Sequence, residues 1–314
     1  MASTQGTAGA PTTAPTATTA PTATAAQTTT GVVYAVGAYA AWGLLPLYFH
    51  LLRDVPATQV LAHRAIWSTL FLGALLTLRG AWVSVSRVRL RGTALTFAAS
   101  AAFLSANWLL YIWCVVNGRT LDASLGYFIN PLVNVLLGRV FLGERLRPAQ
   151  AAAVALAVVG VGVLIASTGA LPWIALVLAG SFGTYGLLRK RLAVEPLAAL
   201  FVETALMTPA AVAWLAWTAA AGAPWFGAPD GSEVLLLLAA GVVTAMPLVW
   251  FGYAARRLPL STLGIIQYLA PTGQFLLAVF VFGEPWNRGQ LVTFALIWTG
   301  LVIFTVDTVR ASRR

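Results

Sequence analysis

The sequence predicts an all-α integral membrane protein, with ten transmembrane helices arranged as two inverted five-helix repeats. Three observations carry this. Apolar residues make up 59% of the 314 positions and charged residues only 9%, where a soluble domain carries about 25% charged residues. From Gly31 onward the chain divides into ten apolar segments, each near the roughly 20 residues that a membrane-spanning helix needs. One stretch, 121–144, returns in altered form at 263–284, and both copies read proline, eleven further residues, then Gly-Glu (Pro131 to Gly143-Glu144, Pro271 to Gly283-Glu284).

Residues 1–30 hold twelve threonines, nine alanines and three prolines and no charged side chain. They lack the basic start and long aliphatic run of a signal peptide. With so little to bury they are expected to form a disordered, dispensable tail. The apolar segments that follow fall at 32–51, 57–78, 93–116, 122–142, 148–167, 171–188, 197–219, 234–255, 261–282 and 289–308. Short connections hold most of the charge, leaving no room for a soluble domain between them, and residues 309–314 form a basic end.

Basic residues fix the orientation. With the N-terminus in the cytoplasm, the inner connections and C-terminal end carry fourteen arginines and lysines, among them Arg79, Arg87, Arg145, Arg189, Lys190 and Arg257. The outer ones carry three, Arg53, Arg119 and Arg288. Both termini are therefore expected to be cytoplasmic. The net charge of +10 belongs to this topology, and nucleic acid is not expected as a partner. The single cysteine, Cys114, lies in an apolar segment and forms no intrachain disulfide.

The repeat extends beyond the opening stretch. Trp42-Gly43-Leu44-Leu45 matches Tyr185-Gly186-Leu187-Leu188, Pro56 matches Pro196, and Asn107 aligns with Pro247. The halves are thus 31–168 and 169–308. Five helices per half make the second half enter from the opposite side. Inverted pairs of this kind are the architecture of many secondary transporters, whose sites lie near the midplane where the halves meet.

At this point the residues resemble a known family. Ala41-Trp42-Gly43, His63-Arg64-Ala65-Ile66-Trp67-Ser68, Asn107-Trp108-Leu109-Leu110, 123–132, Leu142-Gly143-Glu144-Arg145, Tyr185-Gly186-Leu187, Leu260-Ser261-Thr262-Leu263-Gly264, Gln267-Tyr268 and Gly283-Glu284 are similar to RarD-type permeases of the EamA family, in the drug/metabolite transporter superfamily. The resemblance covers about 31–307 and leaves out the tail. It implies a ten-helix fold in the bacterial inner membrane and a transport role. Such permeases are often labelled drug-efflux proteins, a label that says little firm about the natural solute.

Polar residues inside apolar segments mark the candidate site, because lipid does not accept them cheaply. Arg64 is the most costly, at about 2.5–3.5 kcal/mol on insertion scales. It is a candidate anchor for a solute carboxylate. His63 precedes it, and the repeat sets Glu203 in register with His63. Both are candidates for coupling to H+, with a bracing polar network between segments 2 and 7 as the alternative. Entry from opposite faces separates their heights by roughly 15 Å at 1.5 Å per residue, which argues against a salt bridge between them.

Near the midplane the candidates are Asn107, Tyr111, Asn130 and Asn134 in the first half, and Gln267, Tyr268 and Gln274 in the second. Tyr127, Asn130 and Asn134 share one helical face. Trp108 and Trp250 are possible walls. Pro131 and Pro271 each remove a backbone donor, which frees the carbonyls of Tyr127 and Gln267 for a solute or for neighbouring helices. Arg139 is expected to reach the headgroups, and Glu144 and Glu284 to end their helices in solvent or beside Arg145. The Ala- and Gly-rich fifth segment suits close helix packing.

No phosphate-cradling motif, metal cluster or catalytic constellation is visible, and no cofactor is expected. The reading is a permease that moves a small amphipathic or aromatic solute, outward by alternating access. An importer of a small anionic metabolite is the alternative, with a non-transport sensor or structural protein as the reading from a different class. Membrane lipid is the surrounding partner; the sequence says nothing of oligomeric state.

Overall fold

The computed structural model describes residues 25–88, 92–143, 147–192, 194–226, 233–255, 257–258, 262–263 and 266–312. In chain order the helices are α1 Ala25–His50, α2 Ala57–Leu78, α3 Trp82–Ser86, α4 Ala94–Val116, α5 Thr120–Leu142, α6 Pro148–Thr168, α7 Trp173–Leu192, α8 Pro196–Ala220, α9 Val234–Ala255, α10 Leu269–Leu276 and α11 Arg288–Ser312. Among the described residues eight of these (all but α3, α7 and α10) are long and apolar enough to cross a membrane. Two shorter apolar helical stretches, Trp173–Arg189 and Leu269–Val281, accompany them. Large apolar side chains such as Leu70, Leu95, Val140 and Phe280 are exposed on the outside, as a lipid-facing surface requires. Polar side chains such as Gln59, Ser100, Asn107 and Glu203 are buried.

Three departures from the expected segments have physical reasons. α1 begins at Ala25, inside the expected tail 1–30, because a nucleated helix gains one bond per added residue and Ala25-Ala26-Gln27 are good helix formers. Residues 1–24 lie outside the described residues. The connection 79–92 holds a short helix, α3, with exposed Trp82 and Val83 and the Trp82 ring edge-on to Phe201, 5.2 Å between centroids.

The largest departure is the ninth segment, which is not one continuous helix. Pro131 sits inside an unbroken α5, whereas Pro271 stands in the first turn of α10, three residues after the N-cap Tyr268. There a missing N–H leaves no intrahelical bond unmade. α10 then widens into a π turn, Leu277–Val281, and ends at Gly283, whose φ of 65° is left-handed. The Gln267 carbonyl accepts the Ala270 N–H at 3.2 Å, so the freed acceptor expected there is taken.

α1 packs on α9 and α10, and α7 packs on α4 and α5; α2 lies against α8 and α9, α6 against α11, and α10 against α5. α1 and α10 cross at Gly43 and Gly273. A Cβ on Gly273 would stand 3.1 Å from the Gly43 Cα, so the two backbones touch. In the α6–α11 pair, Thr293 Oγ1 donates to the Gly160 carbonyl at 2.9 Å, in line with the close packing expected of the fifth segment. Glu284 departs from expectation. It is buried and accepts the N–H groups of Thr120 and Leu121, each at 2.7 Å, which caps α5 at its dipole-positive end. Glu144 lies outside the described residues.

Candidate solute-binding site

The helices enclose a cavity of about 740 Å³. Ten of the eleven expected solute-contacting residues line it: Arg64, Asn107, Trp108, Tyr111, Tyr127, Asn130, Asn134, Gln267, Tyr268 and Gln274, with both Pro131 and Pro271. Trp250 does not. Its ring packs near Gly37 on α1, 3.5 Å from where a Cβ there would stand, while Thr244, Ala245, Leu248 and Gly252 turn the adjacent face of α9 to the cavity. Depth in the membrane had suggested Trp250; helical face decides against it.

α1 and α7 also line the cavity, through Tyr39 and Trp42 and through Phe182, Tyr185 and Arg189. These residues were not assigned to the site from the sequence. The signal was present, because Trp42 and Tyr185 are matched positions of the repeat.

Arg64 stands deep in the cavity and is 5% exposed. Its Nε donates to Thr244 Oγ1 at 2.8 Å, and its guanidinium carbon lies 3.8 Å from the centre of the Trp108 ring and 5.5 Å from that of Phe49. Nη1 has no hydrogen-bond partner. Among the described residues no carboxylate forms an ion pair with it; Asp54, Asp122, Asp307 and Glu203 pair Arg53, Arg119, Arg147 and Arg189 instead. A desolvated cation–π contact gives about 2 kcal/mol, whereas burying an ion costs several kcal/mol. The cation is under-compensated where it stands.

The amides divide into struts and open groups. Asn107 Nδ2 donates to the Leu178 carbonyl and to Ser181 Oγ, each at 3.0 Å, while its Oδ1 accepts the Tyr127 hydroxyl at 3.1 Å. Asn130 Nδ2 donates to the Ala179 carbonyl at 3.2 Å, and its Oδ1 accepts Asn134 Nδ2 at 2.9 Å. These two brace α7 against α4 and α5. Gln274 Nε2 donates to the Trp42 carbonyl at 3.2 Å, and Gln274 Oε1 and the Tyr111 hydroxyl have no partner. The cavity therefore presents a donor-bearing cation, a hydroxyl and an amide oxygen among aromatic walls.

Its two ends differ. Arg79, Arg189, Glu195 and Tyr253 line one end. Arg79, the C-cap of α2, is fifteen positions on from Arg64, about 22 Å of helix. Beyond Arg64 in the other direction, Phe49, Leu52, Val55 and Val60 are buried together. There Gln59 Nε2 donates to the Pro224 and Trp225 carbonyls at 2.5 and 3.0 Å. His63 Nδ1 accepts the Trp67 indole N–H at 3.2 Å, so Nε2 carries the proton that it donates to the Trp225 carbonyl at 2.6 Å. This end is plugged.

His63 and Glu203 do not meet. Glu203 is fully buried and accepts Ser100 Oγ at 2.5 Å, the Tyr185 hydroxyl at 3.2 Å and Arg189 Nη1 at 3.4 Å. Neither candidate lines the cavity, but two partners of Glu203, Tyr185 and Arg189, do.

Comparison with known proteins follows the same lines. The model of the EamA-like transporter family matches residues 29–166 and again 171–306. The RarD protein of Escherichia coli K12 is 46% identical over 284 residues, which cover 90% of this chain and 96% of that protein. An uncharacterized transporter of Vibrio cholerae is 47% identical over 283 residues, 89% of this chain and 93% of that one. A chloramphenicol-sensitive protein RarD of Pseudomonas aeruginosa is 36% identical over 291 residues, 90% of this chain and 96% of that one. A chain solved by crystallography, 23% identical, superimposes with a TM-score of 0.59 over 88% of this chain and 98% of its own, a likeness of fold. Two family matches that together span nearly the whole chain, and RarD relatives alike along almost their full length, settle the family: the chain belongs to the EamA-like transporters, as a multi-pass membrane transporter of RarD type and not an enzyme.

Proposed function

We propose that the chain is a secondary transporter that carries a small amphipathic or aromatic solute by alternating access, with the solute held between Arg64 and the open end of the cavity. One observation carries this reading: an aromatic-walled cavity with unpaired polar atoms, lined from one end and plugged at the other. Alternating access requires a closed end and an open one around a central site. Outward movement is the direction that the resemblance suggests.

Ten membrane-spanning helices in two inverted repeats, 31–168 and 169–308, fit the packing. Exchanging each helix with its counterpart (α1 with α7, α2 with α8, α4 with α9, α5 with α10, α6 with α11) turns the α1–α9 contact into α7–α4 and α1–α10 into α7–α5. It leaves α2–α8, α5–α10 and α6–α11 in place. The positive-inside bias puts both termini and the connection at 79–92 in the cytoplasm of a bacterial inner membrane, with the cavity open inward. Cysteines introduced at Ser86 and Ser232 in a Cys114→Ser background are expected to label from opposite sides of intact cells. Labelling of both from outside would overturn the orientation.

For H+ coupling the geometry favours Glu203 over His63, whose two ring nitrogens are both committed at the plugged end. Tyr111→Phe tests the site with the least disturbance. The Tyr111 hydroxyl makes no bond within the protein, so its removal is expected to leave the melting temperature unchanged. Loss of one hydrogen bond to the solute, roughly 0.5–1.5 kcal/mol, should weaken binding about two- to tenfold in purified protein. Asn130→Leu is expected to lower both binding and stability, because that amide also braces α5 to α7. Unchanged solute affinity in both variants would place the site elsewhere.

A further inference from the structure

We propose that the recognised part of the solute is a single negative charge, a carboxylate or comparable oxyanion, which pairs with Arg64 and separates anions from neutral molecules of the same shape. This deepens the reading of the cavity as the solute path and rests on it.

The argument begins with what holds Arg64. Thr244 fixes Nε from α9 and Trp108 covers a face of the guanidinium from α4, so the group is oriented from two helices, yet neither contact brings a negative charge. Nη1 is left without an acceptor. Among the described residues, the other charged groups that line the cavity are Arg79, Arg189 and Glu195. Arg79 and Glu195 belong to the open end, and Arg189 already pairs with Glu203. At the depth of Arg64, the described lining therefore carries a positive charge and no negative one.

A second donor stands close by. Tyr111 has an unpaired hydroxyl, and the Phe49 ring lies 5.9 Å from the Tyr111 ring and 5.5 Å from the Arg64 guanidinium, so both groups flank one phenylalanine. An oxyanion has lone pairs for both. A guanidinium retains its charge at any physiological pH and offers donors in a fixed plane, which suits selection of a carboxylate and gives no way to discharge it. Gln274 Oε1, also unpaired, would accept a donor elsewhere on the solute.

The test uses full-length protein in lipid nanodiscs and three aromatic acids (benzoate, phenylacetate and indole-3-acetate) beside their carboxamides, with binding measured by titration calorimetry. At least one carboxylate is expected to bind saturably and at least tenfold more tightly than its carboxamide. Arg64→Gln should bring the carboxylate down to the affinity of its carboxamide. If that variant does not fold, Tyr111→Phe reads the same site and should weaken the carboxylate two- to tenfold. Failure of every carboxylate to bind, or a preference that survives Arg64→Gln, would overturn the assignment. So would stabilisation by sodium chloride equal to that by the carboxylates, which would make the partner of Arg64 a simple halide. Equal binding of acid and amide that Ala245→Trp abolishes would remove the charge rule and leave the cavity as the solute path.

Discussion

Gly241→Leu is expected to leave almost no folded protein. A Cβ at Gly241 would fall on the carbonyl group of Trp67 and close to the Ser68 nitrogen, and these are backbone atoms of α2. No rotamer change relieves such an overlap; α2 and α9 must move apart. Overpacking a core with room to adjust typically costs 1–3 kcal/mol, and contact with a rigid backbone puts this substitution at roughly 3 kcal/mol or more by the same reasoning. The loss would reach the site, since α2 carries Arg64 and α9 carries Thr244 less than one turn beyond Gly241. Gly162→Leu is the control, because a Cβ there meets nothing within 4 Å. Size-exclusion profiles and melting curves in detergent should show the control near wild type and Gly241→Leu aggregated. A well-behaved Gly241→Leu protein would mean that the two helices are not in backbone contact.

The second large effect concerns Glu203. Glu203→Leu removes the acceptor of two hydroxyls and the carboxylate that faces Arg189. Breaking a buried pair from one side costs about 3–5 kcal/mol. The Arg189 side chain is 19% exposed and recovers some hydration, so the low end of that range, about 3 kcal/mol, is expected. Glu203→Gln keeps one acceptor oxygen, for Ser100 or for Tyr185 but not both in their present positions, and should lose less. Adding Arg189→Leu to Glu203→Leu removes the stranded cation and should restore part of the loss. Thermal melting of the four proteins decides it. A Glu203→Leu variant that melts with wild type would remove the ion pair from the account of this helix junction.

Much of this arrangement was legible in the sequence because the membrane penalises polarity so heavily. An arginine, three asparagines and two glutamines inside apolar segments had to face protein or water, and all six line one cavity. Face is harder to read than depth. Trp250 lies at a suitable depth and still packs against α1, since a single residue's turn of about 100° moves a side chain from one neighbour to another. The proline pair shows a second limit. Pro131 and Pro271 occupy matched positions with opposite outcomes, one inside a continuous helix and one at a helix start. Local sequence states only that a donor is missing; surrounding contacts decide whether the chain bends there or begins again. Nor could spacing reveal that Glu284 caps a helix of the other half, because that contact joins residues 164 apart.

The crossing of α1 and α10 has a mechanical meaning. Helices normally interlock, side-chain ridges of one seated in grooves of the other. Where Gly43 meets Gly273 neither helix has a tooth to engage, so that point behaves as a plain bearing. One residue away from each glycine, the hydrogen bond from Gln274 to the Trp42 carbonyl is a pin through it. Such a bond is worth roughly 0.5–1.5 kcal/mol, a load comparable to thermal energy. At this joint two smooth helix surfaces are held in register by a single amide, and that amide stands in the wall of the solute cavity.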